Sequence, residues 1–169
     1  MRTIVLLLLM VAVAVAGVVG CGGPQVTEAD AAERQKQYRR IAIVCAPAQG
    51  ADPAHAKMIL DEVSKRLPAR LGWLDAADCL PGVAVDVSKD PPQAVLGAKA
   101  KDYDAVVCLV YEYGGGHTIL NMHVVNTQTG ALVWHHKLDT ADPNVQARLL
   151  RHALWTPTII KLRFYGKKK

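Results

Sequence analysis

Positions 105–110 read Ala-Val-Val-Cys-Leu-Val, and this unbroken apolar run constrains the fold more than any other stretch. A strand that is apolar at every position must be covered on both faces, so it belongs at the centre of a layered sheet. From Val110 onward the pattern alternates, with Tyr111 and Tyr113 on one side and Glu112 on the other. The strand therefore leaves its double cover near its end. Gly114, Gly115 and Gly116 follow. A phosphate-cradling loop needs a Lys-Ser/Thr pair and a helix after its glycines. His117 and a second strand pattern follow instead, so the glycines read as a hairpin link.

Residues 118–126 and 131–138 form a second expected hairpin. Thr127, Gln128 and Thr129 suit a type I turn, and Gly130 suits the left-handed residue that closes it. If Asn126 pairs with Ala131, His123 falls opposite Trp134 and Asn121 opposite His136. These four residues, Asn121, His123, Trp134 and His136, then make one candidate binding face. Neither face of the hairpin is cleanly polar, so the pattern leaves open which one the helices cover.

Upstream, residues 40–46 read as the first core strand. Asp52-Pro53 is an N-cap followed by a first helical residue. Ala56, Ile59, Leu60, Val63 and Leu67 then recur on one helical face. Pro68 and Gly72 are expected to end that helix or step it sideways. Residues 83–87 read as a second strand and residues 90–100 as a second helix. After the meander, Asp142-Pro143 repeats the helix-start signal, with Val145, Leu149, Ala153 and Leu154 facing inward. Thr156-Pro157 interrupts this helix, and residues 158–165 lean towards helix. The expected order is β-α-β-α-β-β-β-α. Right-handed crossovers make the first three strands parallel, and the meander extends the sheet antiparallel. The fold class is α/β (α+β), one layered domain with a mixed sheet.

The chain opens with Arg2 and an apolar run over residues 4–19, broken only by Gly17. Its end, Val18-Val19-Gly20-Cys21, resembles the lipobox of bacterial lipoproteins. That resemblance implies cleavage between Gly20 and Cys21 and acylation of Cys21. An ordinary signal peptide or a membrane anchor is the plainer reading, and the run is near the lower length limit for a spanning helix. The resulting organisation is a signal peptide at 1–20, a lipidated cysteine with a short tether at 21–38, one α/β domain at 39–166 and a basic tail at 167–169. Thr27 and Asp30 are placed like a helix start, so the tether from Gly22 to Tyr38 spans at most about 60 Å when extended and about half that if its second part is helical. The net charge is +5. Much of the surplus sits at Arg39, Arg40, Lys161, Arg163 and the final lysines. Such a tail suits anionic head groups, and it equally suits a solvated end.

A wider resemblance rests on Ala98–Asp104 with the AVVCLVY run, followed by VVNTQTGALVWHHKL. This pattern looks like a fold shared by three groups of bacterial envelope proteins. They are the curli-secretion-channel lipoproteins, the penicillin-binding-protein-activator lipoproteins and the amino-terminal domain of the Tol translocation protein. It covers residues 41–154 and consists of element order and turn residues, so it speaks to fold more than to function. It implies a non-enzymatic envelope lipoprotein that docks on other proteins. Two departures narrow that implication. No spare pair of about ten-residue lipid-facing strands is left for a barrel, and the tether is short for crossing the periplasm.

Catalytic signatures are missing from the sequence: there is no Gly-x-Ser-x-Gly, His-Glu-x-x-His or Ser-x-x-Lys. Asp61, Glu62, Asp75 and Asp78 read as separate surface or loop positions. Cys45 and Cys108 fall in strands expected to be neighbours; packed free thiols are the expected state there, and Cys79 is a third thiol. His135 and His136 point to opposite faces of a strand. His123 and His136 without a third ligand make a poor zinc site. No catalytic residue, metal or cofactor is assigned. The expected role is a non-enzymatic interaction, assembly or regulatory module of the envelope, lipid-anchored and most simply on the outer membrane facing the periplasm. Its partners are the membrane and an envelope protein, not nucleic acid. The alternative is a small-ligand or metal-binding lipoprotein using the His123, Trp134, His136 face.

Overall fold

The structure, a computed structural model, describes residues 27–82 and 102–166. Its elements are α1 (Glu28–Gln37), β1 (Arg40–Pro47), α2 (Pro53–Leu71), β2 (Ala76–Pro81), β3 (Ala105–Gly114), β4 (His117–Asn126), β5 (Leu132–Thr140) and α3 (Val145–Ile159). A π-helical segment, Ile160–Tyr165, continues α3. The five strands form one mixed sheet in the order β2-β1-β3-β4-β5. β1 pairs parallel with β2 and β3, while β3, β4 and β5 form the antiparallel meander. The α+β layered class expected from the sequence is therefore the observed one.

β3 lies at the centre and is buried from Ala105 to Tyr111. Ala105, Val107, Leu109 and Tyr111 join Ile41, Ile43 and Cys45 in the larger core beneath the helices. Val106, Cys108 and Val110 pack with Ala42, Val44 and Ala46 on the opposite face. Two separate cores on the two faces of one sheet are what an all-apolar strand requires. Asp104 ties the strand starts together, since its Oδ2 accepts from the backbone N–H of Arg39 at 2.9 Å and of Arg40 at 2.7 Å.

α2 starts where expected, with Asp52 accepting from the Ala54 N–H at 2.9 Å and Pro53 as first residue. It does not stop at Pro68 but runs on to Leu71, burying Ala56, Ile59, Val63, Leu67 and Leu71. Burial of Leu67 and Leu71 on either side of Pro68 favours continuing the helix past the missing N–H. Gly72 then makes the exit: a Cβ there would lie 2.4 Å from the Pro68 carbonyl oxygen.

Three expectations need correction. First, residues 76–81 form a strand where none was expected; the strand expected over 83–87 and the helix expected over 90–100 lie outside the described residues. Among the described residues β2 is an edge strand and only partly buried. It can therefore hold Asp78 and lacks the apolar run that marks a central strand. Second, the helix start expected at Thr27 and Asp30 is observed, but the helix over residues 28–37 packs against the π segment and so is not part of a free tether. Arg34 and Gln35 donate to the carbonyls of Phe164 and Tyr165 at 3.0 and 3.1 Å, and Ala31 and Tyr38 are buried. Third, α3 is capped by Asn144, two residues after Asp142. Asn144 Oδ1 accepts from the Ala147 N–H at 3.0 Å. Of the residues expected to face inward, Leu149 and Ala153 are buried, whereas Leu154 is exposed.

Candidate functional site

The β3–β4 link is a two-residue reversal. Gly115 and Gly116 both have positive φ (57° and 78°), and Gly114 pairs with His117. That conformation suits glycine at both central positions. At the second turn, Asn126 Oδ1 accepts from the Gln128 and Thr129 N–H groups, and Gly130 closes the loop at φ 69°. The Asn126 N–H donates to the Ala131 carbonyl at 2.9 Å, as the expected pairing requires.

One step further the register changes. Val125 pairs with Leu132 but Val124 pairs with Trp134, so Val133 is the extra residue of a bulge. The slip moves every later partner. His123 lies opposite His135, Met122 opposite His136 and Asn121 opposite Lys137. The four-residue candidate face is thus divided between the two sides of the sheet. Trp134 and His136 turn inward beside buried Leu120, Met122 and Val124. Asn121 and His123 turn outward with His135 and Lys137.

On the inner side Trp134 is half-buried. Its ring stacks on His136 (5.6 Å, 9° between planes) and lies 6.2 Å from Phe164. Burial, then nearby Arg163 and His135, lower the His136 pKa from its ordinary value. On the outer side the His123 and His135 rings are 4.8 Å apart. Asn121 Nδ2 donates to Glu112 Oε1 at 2.5 Å. His123 and His136 therefore cannot share an ion. Among the described residues, no group of three or more His, Cys, Asp or Glu side chains is placed to hold a metal.

Glu112 links this outer patch to a cleft of about 280 Å³ lined by Ala48, Gln49, Gly50, Ala51, Glu112 and Tyr113. The cleft lies past the carboxyl ends of β1 and β3, where a parallel sheet offers loops for binding. Arg148 braces its far wall. The guanidinium sits 5.4 Å from the Tyr113 ring centroid and donates to the Gly116 carbonyl, and Arg148 is 3% exposed. Arg148 Nε, His152 Nδ1 and Thr118 Oγ1 are buried without a hydrogen-bond partner. Sequence reading did not single out Glu112, Tyr113 or Arg148. The only signal for Glu112 and Tyr113 was position near a strand end beside the glycine link, and Arg148, on α3, carried none.

The acids and thiols singled out in the sequence are paired or shielded. Asp61 pairs with Lys57 at 2.7 Å, Glu62 with Lys65, and Asp75 with Arg39 at 2.6 Å, while Asp78 accepts from Tyr103 at 2.7 Å. Cys45, Cys79 and Cys108 are free thiols. Cys45 faces the larger core and Cys108 the smaller, so the sheet separates them. Burial raises all three thiol pKa values, to about 12 for Cys79 and Cys108, which keeps them protonated and poorly nucleophilic. Cys21 and Gly20 lie outside the described residues.

No known family matches the sequence, and no curated protein does. Several solved structures are similar in chain path. The PelC dodecamer from Paraburkholderia phytofirmans is 13% identical, with 80% of this chain and 92% of that one covered and a TM-score of 0.45. Lipoprotein GNA1162 from Neisseria meningitidis is 15% identical, covering 72% and 98%, at 0.41. The LpoB C-terminal domain from Salmonella enterica is 14% identical, covering 69% and 96%, at 0.39. The solved structures similar to this chain thus include bacterial lipoproteins. At these identities the likeness concerns fold alone.

Proposed function

We propose that this chain is a lipid-anchored envelope protein whose folded part is a non-enzymatic docking module. The observation that carries the docking role is the outer side of the β4–β5 hairpin. Asn121, His123, His135 and Lys137 stand together there, beside an edge strand, β5, with no further strand paired to it among the described residues. An open edge offers backbone hydrogen bonds to an added segment, and side chains beside it select that segment. The sequence at Val18–Cys21 supports anchoring, and Gly22 after the cysteine fits outer-membrane sorting towards the periplasm. No helix among the described residues is long and apolar enough to cross a membrane.

The experiment is photocrosslinking in intact cells. A photoreactive residue replaces His135 or Lys137 in one strain and Glu62, on α2, in a control. A discrete adduct from the hairpin positions and none from the control is expected. Equal adduct patterns from all positions defeat the docking role. A second reading, small-ligand binding, is favoured by the cleft at Glu112 and no longer by the divided histidine face. It predicts ligand-dependent protection of Tyr113 from solvent quenchers.

A further inference from the structure

The outward side of α3 carries Leu150, Leu154 and Trp155, which are 40%, 37% and 57% exposed, and the π segment adds Leu162 at 42%. At about 100° per residue the three α3 side chains fall within an arc of about 140°. They are one stripe, not scattered exceptions. The opposite side of the same helix buries Leu149, His152, Ala153 and Thr156, so the core already has its share of the helix.

The charged residues of the stripe's own segment have one sign. From Val145 to Lys169 the sequence has seven Lys and Arg residues and no Asp or Glu. Arg148 points inward, and Arg151 reaches back to Asp142 at 3.1 Å. Lys161 and Arg163 lie on the π segment on either side of Leu162. Exposed leucine and tryptophan on a segment whose own charged side chains are all cationic match the composition of a helix that lies in the headgroup region of an anionic bilayer; acidic groups come from other elements, Asp142 on Arg151 and Glu28 and Asp30 on α1.

The position of the chain start points the same way. Thr27 caps α1, and Ala31, one turn on, is packed so closely on Gly166 that a Cβ at Gly166 would come within 2.7 Å of the Ala31 Cβ. Leu162 lies about one turn before Gly166. Cys21 is six residues before Thr27, so by covalent geometry it is at most about 21 Å away. An acyl chain on Cys21 would hold this end of the molecule within that distance of the lipid.

From these observations we infer that the outward face of α3 and the π segment rests on an anionic membrane surface, with Trp155 in the interfacial layer. The inference takes its orientation from the proposed anchoring at Cys21. The test uses the full chain purified from membranes. It is reconstituted into vesicles of phosphatidylethanolamine and phosphatidylglycerol with brominated acyl chains, and separately into brominated phosphatidylcholine. Trp73 and Trp134 are only partly exposed within the fold, so a quenched component should belong to Trp155. That component should be present in the anionic vesicles, lost in Trp155→Phe, and weakened in Lys161→Glu and in phosphatidylcholine. Trp155 is exposed and Lys161 partly so, and unchanged circular dichroism verifies the fold. Equal quenching in wild type and Trp155→Phe overturns the inference. So does a Trp155 emission shift that grows with protein concentration without vesicles, which would mark a second copy. Palmitate labelling of the same preparations reports anchoring separately. A labelled but unquenched chain overturns the membrane face and keeps the anchor. An unlabelled but quenched chain keeps the face and ends the anchor.

Discussion

Trp134 has one ring face on His136 and lies near Phe164, yet it keeps part of its surface in water. Full removal of a core tryptophan costs about 3–5 kcal/mol. Half-burial scales that to about 2 kcal/mol for Trp134→Ala, read as a lower urea midpoint at unchanged slope. His152 is a different case. Burial first, then Arg151, push its pKa down from 6.5 to about 4. The unfolded chain therefore binds more protons than the folded one between those values, and stability falls as pH drops through that window. Above about pH 6.5 the residue contributes no pH dependence. Asp75 and Asp139, whose pKa values are lowered by Arg39 and His117, also make stability fall as pH drops, but only below 3.8. Urea midpoints at pH 7, 5.5 and 4.5 for wild type and His152→Gln separate the two, because only the histidine slope disappears in the variant. Cys45 and Cys108, both buried, should react with a thiol reagent only as fast as the protein unfolds, and Cys79 faster.

Elements differ in how clearly they announce themselves. β3 was legible because a doubly covered strand leaves an uninterrupted apolar run. α2 was legible because Asp52-Pro53 and five spaced apolar residues agree. β2 was not, since an edge strand with Asp78 in it has no pattern that separates it from a loop. The β4–β5 register failed for a sharper reason. The turn was read correctly down to the Asn126–Ala131 pair, but a bulge at Val133 costs the sequence no visible mark and turns Trp134 to the other side of the sheet. The exposed Leu154 was misread because one position on a helix can belong to either border of its apolar stripe. α1 showed its start at Thr27 and Asp30 but looked like part of the tether, because the buried positions are only Ala31 and, just past the helix end, Tyr38. Its attachment is testable at Gly166, where φ is 77° and a side chain would meet Ala31. Gly166→Ala should cost roughly 1 kcal/mol or more. It should also raise amide exchange in α1 while leaving that in β3 unchanged.

For the molecule as a whole, Cys21→Ser should leave the precursor uncleaved and without palmitate label; equal labelling of wild type and variant would falsify the anchor. The ends of the described structure meet where α1 lies on the π segment, and this has a mechanical consequence. A pull on the anchor enters at Thr27. It first loads a helix held by Arg34, Gln35 and a few side-chain contacts. Next in line is β1, held by backbone ladders on both sides. Peeling breaks the α1 contacts one at a time, whereas extracting β1 requires the ladders to shear together. Unravelling the ten residues of α1 adds about 20 Å of reach, at about 3.5 Å per extended residue against 1.5 Å in a helix. Under tension the protein therefore lengthens its leash before it loses its sheet.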